Sequence, residues 1–194
     1  MFTGIIERTG TIVTVRQEGS NKRFTVQSDI SAELKIDQSV AHNGVCLTVV
    51  AVTGDTHEVV AIGETLDKSS LGGLAEGSTI NLERCMAANG RFDGHIVQGH
   101  VDCTGRVESV HDHGGSWRLD FSFPGVHTAL VVEKGSVCIN GVSLTCFNCG
   151  QGTFSVAIIP YTMENTTFRT LGAGDTVNLE FDIIGKYVSR LLGK

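Results

Sequence analysis

The chain has 194 residues, 41% hydrophobic and 19% charged, with a formal net charge of −6. That acidity argues against a nucleic-acid partner, which needs a basic surface to displace counterions from phosphates. No apolar run is long enough to span a bilayer. The start, Met1-Phe2-Thr3-Gly4-Ile5-Ile6-Glu7-Arg8, lacks the charged head and apolar stretch of a signal peptide, so the expectation is a cytoplasmic protein with no membrane partner.

The predicted elements are short and β-patterned. Residues 11–15 alternate apolar and polar side chains, and residues 45–52, 58–62 and 79–82 are β-branched runs. Asn43-Gly44, Gly54-Asp55, Gly72-Gly73 and Gly77 punctuate them as turns. Alternation returns at residues 118–123. Near the end, Ile184, Val188, Leu191 and Leu192 recur at helical spacing, with Arg190 and Lys194 where a helix dipole favours cations. Six cysteines sit mostly within apolar or β-patterned segments and are expected to be reduced. Cys146-x-x-Cys149 has redox or zinc spacing, but no second ligand pair accompanies it, and no metal is expected.

The chain is written twice. Residues 39–83 and 136–180 align without a gap, with 17 identities in 45 positions. The clearest matched block is Asn-Gly-Val-x-Leu-Thr at 43–48 and 140–145. Residues 4–10 pair with 99–105 at an offset of 95 rather than 97, so the second copy carries two extra residues near 111–116 or the first lacks them near 16–22. Two all-β units of this size close well as barrels, which leaves no free strand edge. The expected layout is a barrel over 1–87, a linker near 87–90, a barrel over 95–182 and a helix over 183–194.

Matched positions hint at chemistry. Position 46/143 is Cys in one copy and Ser in the other, two residues before Thr48 and Thr145 on the same strand face. Thr65 and Thr162 add hydroxyls and Glu64 an acid, a set that suits a polyhydroxylated heterocycle among apolar walls. The plainer reading is that these residues only make turns and buried hydrogen bonds.

The Met-Phe-Thr-Gly-Ile start, the paired Asn-Gly-Val-x-Leu-Thr blocks, Glu64-Thr65-Leu66, residues 94–102 (Gly-His-Ile-Val-Gln-Gly-His-Val-Asp) and Ile184-Gly185-Lys186-Tyr187-Val188 together resemble the riboflavin synthase family over the whole chain. The resemblance implies two six-stranded antiparallel Greek-key barrels with a C-terminal α-helix, assembled as a homotrimer through that helix. It implies dismutation of two molecules of 6,7-dimethyl-8-ribityllumazine to riboflavin and 5-amino-6-ribitylaminouracil, without cofactor, between the first barrel of one subunit and the second barrel of its neighbour. Lumazine synthase is a candidate partner on the same ground.

For acid–base work His100 is the first candidate: it stands where the first copy has Ile5, and imidazole titrates near neutrality. The resemblance implies that Ser143 helps activate the acceptor. Cys46 is expected to contact the ring rather than attack it, because no adjacent cation would lower its thiol pKa. The resemblance places substrate contacts at Cys46, Leu47, Thr48, Ala61, Ile62, Gly63, Glu64 and Thr65 in the first copy. In the second they fall at Lys134, Ser143, Leu144, Thr145, Ile158, Ile159, Pro160, Tyr161 and Thr162. Gly4, Ile5, Ile6 and Gly99, His100, Val101 are expected to reach across to the opposite barrel's ligand. His95 is expected to be structural, and Phe2 an apolar plug. The rival expectation is a lumazine- or flavin-binding antenna protein of the same fold without turnover.

Overall fold

A computed structural model describes residues 1–193; Lys194, expected at the end of the helix, lies outside them. The first barrel consists of β1 (Arg8–Glu18), β2 (Asn21–Gln27), β3 (Ser39–His42), β4 (Val45–Thr53), β5 (Thr56–Ala61) and β6 (Thr79–Arg84). It closes in the order β1-β2-β5-β4-β3-β6, all neighbours antiparallel. The second consists of β7 (Cys103–Asp112), β8 (Trp117–Ser122), β9 (Ser136–Ile139), β10 (Val142–Gly150), β11 (Thr153–Ile158) and β12 (Thr176–Phe181), in the same circular order. In each, three hairpin-linked strands are followed by one that returns beside the first of them, which is a Greek key. The β1–β2 turn uses residues 19–20 and the β7–β8 turn residues 113–116, which accounts for the two-residue change of offset.

Period-2 burial fills each barrel. His57, Val59 and Ala61 of β5 point inward, as do Leu119 and Phe121 of β8. The second core is richer in aromatics, with Phe121, Phe154, Phe168 and Phe181 all buried. All six cysteines are free thiols.

Besides α3 (Ile183–Leu191), two short helices follow the fifth strand of each barrel: α1 (Gly63–Lys68) and α2 (Pro160–Asn165). Six residues are under two turns, too few for a helical period to show in the sequence. Each runs into a 3-10 turn capped by a hydroxyl, Ser69 before Leu71 and Thr166 before Phe168. The same hydroxyls donate back to the carbonyls of Thr65 (2.6 Å) and Thr162 (2.7 Å).

The Asn-Gly blocks do more than turn the chain. Asn43, Gly44, Asn140 and Gly141 all have positive φ, as a tight hairpin turn requires. The two glycines meet: a Cβ on Gly44 would lie 2.7 Å from the Gly141 nitrogen. Asn81 donates to the Asn140 carbonyl (2.9 Å) and accepts from the Thr167 amide (2.8 Å). Its repeat mate Asn178 donates to the Asn43 carbonyl (2.8 Å) and accepts from the Ser70 amide (2.6 Å). The barrels are thus docked by reciprocal bonds about a local pseudo-twofold.

Candidate functional site

The segment before each barrel crosses to the other barrel. Phe2 bridges Val97 in antiparallel fashion, and both are buried with Ala41 and Cys138 between the barrels. Beyond that bridge, the Gly4 carbonyl accepts from the Ser143 amide (2.7 Å), and the Gly99 carbonyl accepts from the Cys46 amide (2.8 Å). Gly4 and Gly99 have φ of 78° and 80°, and a Cβ on either would sit 2.6 Å from the side chain of Ser143 or Cys46. Glycine is required at both positions for backbone conformation and for space.

Each crossing completes a cavity. In the first barrel a space of about 280 Å³ is lined by Val45, Cys46, Glu64, Thr65, Lys68 and Ser69, together with Gly99, His100 and Val101 from the crossing segment. In the second, about 490 Å³ is lined by Lys134, Ser136, Ser143, Leu144, Thr145, Phe147, Ala157, Ile159 and Thr162, with Ile5, Asp93 and Gly94 brought in. The structure therefore brings together most of the expected residues, and does so once per barrel.

Several stand apart. Leu47, Ala61 and Ile158 point into the barrel cores. Thr48 is exposed on the Cys46 face of β4 without lining the space, and Ile62 and Gly63 open α1. Pro160 and Tyr161 begin α2 outside the second cavity, with Tyr161 largely exposed. Gly4 is packed beneath Ser143, while Ile6 reaches the Gly141 turn and packs on the second core. Phe2 is fully buried and carries no polar group toward either space.

The cavities differ in chemistry. Burial raises the Cys46 thiol pKa, so the sulfur is protonated and uncharged at neutral pH. Nearby, Glu64 pairs with Lys68 one helical turn on (2.9 Å). In the other cavity Ser143 Oγ lies 2.6 Å from His95 Nδ1. Burial lowers the His95 pKa against a smaller opposing effect of Asp182, so its ring is neutral, and in the tautomer protonated on Nε2 its Nδ1 can accept the serine proton. Among the described residues the buried Nε2 of His95 has no hydrogen-bond partner. Lys134, in a left-handed backbone conformation, holds its ammonium 5.7 Å from the Phe147 ring centre at the cavity wall.

His95, expected to be structural, is hydrogen-bonded to Ser143. The repeat could not flag it, because it precedes the segment that matches the first copy. Glu83 and Glu180, which close the matched block, were also missed. Each is a buried carboxylate that binds the crossing segment: Glu83 accepts from the amides of Thr3 (2.6 Å) and Gly4 (3.0 Å), Glu180 from those of Gln98, Gly99 and His100 (2.7–2.8 Å). Their identity in both copies was the available signal. Among the described residues no cluster of three or more metal-ligating side chains occurs.

Comparison with known proteins agrees with this layout. The family model of the lumazine binding domain matches residues 3–85 and again 98–182. The chain is 42% identical to the riboflavin synthase of Bacillus subtilis over 100% of its length and 91% of that protein's. It is 40% identical to that of Bacillus amyloliquefaciens with the same coverage, and 42% identical to that of Mycobacterium tuberculosis, covering 99% of this chain and 98% of the other. Among solved structures, LumP complexed with riboflavin superposes with a TM-score of 0.87 at 21% identity, covering 93% of this chain and 99% of that one. LumP complexed with 6,7-dimethyl-8-(1'-D-ribityl) lumazine gives 0.85 at 20%, with the same coverage. These two show the shared fold. With two lumazine binding domains, each bearing a cavity at the same place, and full-length relatives at this level of identity, the chain belongs to the riboflavin synthase family.

Proposed function

We propose that this chain catalyses the dismutation of two 6,7-dimethyl-8-ribityllumazine molecules, one giving a four-carbon unit to the other, to yield riboflavin and 5-amino-6-ribitylaminouracil. The observation that carries this reading is a pair of related cavities with unlike chemistry: Cys46 with His100 in one, Ser143 with His95 and Lys134 in the other. One substrate used in two roles needs two similar pockets that are not the same. Holding two reactants in opposed orientation can supply about 7–11 kcal/mol of the barrier. Acid–base groups then move protons: one leaves the 7-methyl group of the donor, and a nucleophile adds at C7 of the acceptor. We assign the former to His100, exposed at the rim of the first cavity. We assign the latter to Ser143, with neutral His95 to take its proton, either adding directly or activating water. The protonated Cys46 thiol serves ring contact.

We place the working site between the first barrel of one subunit and the second of its neighbour, in a homotrimer. α3 supports this: Ile184, Tyr187, Val188, Leu191 and Leu192 are all exposed on the isolated chain. Removing residues 183–194 should leave a protein that sediments as a monomer; a truncated trimer would overturn the assembly. Six free thiols fit a reducing, cytoplasmic setting.

The second reading, a lumazine-binding antenna protein, draws on the likeness to LumP. One experiment separates them. The purified protein is given the lumazine alone, and riboflavin is followed by absorbance beside His100→Ala and Ser143→Ala variants. Riboflavin at half the lumazine consumed, slowed in both variants, supports the dismutation. Tight binding without riboflavin above the protein-free rate supports the antenna.

A further inference from the structure

We propose that Glu180 and Glu83 are positioning residues that act on the pocket of the opposite barrel: Glu180, on the last strand of the second barrel, sets His100 at the first cavity, and Glu83, on the last strand of the first, sets Gly4 and Ile5 at the second. The inference rests on the dismutation reading, because it works through His100.

The geometry is reciprocal. Glu180 is 2% exposed and takes three consecutive amides, Gln98 at 2.7 Å, Gly99 at 2.8 Å and His100 at 2.8 Å. Glu83 is 4% exposed and takes the Thr3 amide and hydroxyl, at 2.6 and 2.9 Å, and the Gly4 amide at 3.0 Å. Each crossing segment is pinned a second time by the acid that follows it. Asp102 accepts from the Phe181 amide (2.8 Å) and pairs with Lys186 of α3 (2.6 Å). Its mate Glu7 accepts from the Arg84 amide (2.8 Å) and pairs with the Arg84 guanidinium (2.7 Å).

A buried carboxylate that accepts from three donors can be replaced by an amide only by turning an N–H toward an N–H. Glu180→Gln therefore releases or rotates at least one of the three amides and moves the backbone that carries His100. Displacement of a reacting group by about 1 Å costs about a hundredfold in rate. Through the Gly99 and His100 amides the carboxylate holds two residues that line the first cavity, and the lesser effect of its charge on the Cys46 thiol is the only other route to that cavity among the described residues.

A double-mutant cycle on the full chain tests this. Riboflavin formation is measured for wild type, Glu180→Gln, His100→Ala and the double variant, with kcat and KM separated. The expected result is a loss of about a hundredfold in kcat for Glu180→Gln that shrinks to about onefold when His100 is already alanine. Losses that multiply in full, or a Glu180→Gln enzyme with wild-type kcat, would overturn the proposal. If the glutamine variant does not fold, Glu180→Asp enters the same cycle, because it keeps the charge and shortens the reach. A wild-type chain that makes no riboflavin defeats the dismutation reading and the positioning role with it; a wild type that turns over with a multiplicative cycle defeats the positioning role alone.

Discussion

The first barrel holds a polar chain where the second has hydrocarbon, and acid should find it. His42 and His57 are 1% and 0% exposed. His42 Nδ1 faces the Val40 carbonyl (3.0 Å), His42 Nε2 faces His57 Nε2 (2.9 Å), and His57 Nδ1 faces Ser31 Oγ (2.8 Å). A carbonyl only accepts, so His42 carries its proton on Nδ1. His57 must then donate through Nε2, and Ser31 donates to His57 Nδ1. With both rings neutral, every ring nitrogen is satisfied. A proton added to His42 would set two N–H groups against each other; one added to His57 has Ser31 as an acceptor. Burial, with the neighbouring ring, lowers the His42 pKa to about 3, and burial lowers that of His57 to about 4. Both folded values lie below the ordinary 6.5, so the stability they contribute is full above pH 6.5 and is lost as pH falls toward the folded values. At pH 4.5 the unfolded chain has gained about two protons that the folded barrel refuses, a loss of roughly 5 kcal/mol at about 1.4 kcal/mol per unit for each ring. That is comparable to the whole stability of a small domain. The repeat mates of His42 and His57 are Ile139 and Phe154, so His42→Ile with His57→Phe copies the second core into the first. Urea unfolding at pH 7 and 4.5 should show wild type losing this amount and the double variant keeping most of it. Equal losses in both proteins, or ring resonances of folded His42 and His57 titrating near pH 6.5, would refute the reasoning.

Three other outcomes follow from the geometry. Gly99→Ala and Gly4→Ala each add a Cβ 2.6 Å from the facing side chain at a positive φ, so each should lower unfolding free energy by about 2–5 kcal/mol and depress turnover. Asn81→Ala strands the Thr167 amide and the Asn140 carbonyl in a buried interface and should cost about 3 kcal/mol by denaturant titration, with Asn178→Ala similar. His95→Gln should cut kcat by about a hundredfold with little change in thermal midpoint, and because burial holds His95 below the ordinary 6.5, the acid limb of the wild-type rate should fall below that pH.

The barrels were legible in the sequence because alternation and turn residues are local signals, and because the repeat supplied each twice. Contacts between the copies were not. Nothing in the order of residues says that Gly4 packs on Ser143 or that Glu180 is enclosed; a Glu at the end of a β run reads as a solvated side chain. A signal existed for the histidine pair. Their repeat mates are apolar, and a core position in one copy is a core position in the other. The helices α1 and α2 are set by the hydroxyl caps Ser69 and Thr166, whose partners lie only two and four residues away but whose period is too short to stand out.

The pattern of sameness and difference between the copies follows the physics. The residues identical in both, Gly4 and Gly99, Asn43 and Asn140, Gly44 and Gly141, Asn81 and Asn178, Glu83 and Glu180, build the docking and the crossing segments. The pairs that differ, Ile5 and His100, Cys46 and Ser143, Glu64 and Tyr161, stand at or beside the cavities. Since each crossing segment completes the other barrel's cavity, neither barrel alone holds a whole pocket, and a change in one copy is felt in the other. A scaffold that served two identical binding events would have no use for the asymmetry. Retained framing with divergent lining is what a reaction between two copies of one molecule in different roles requires.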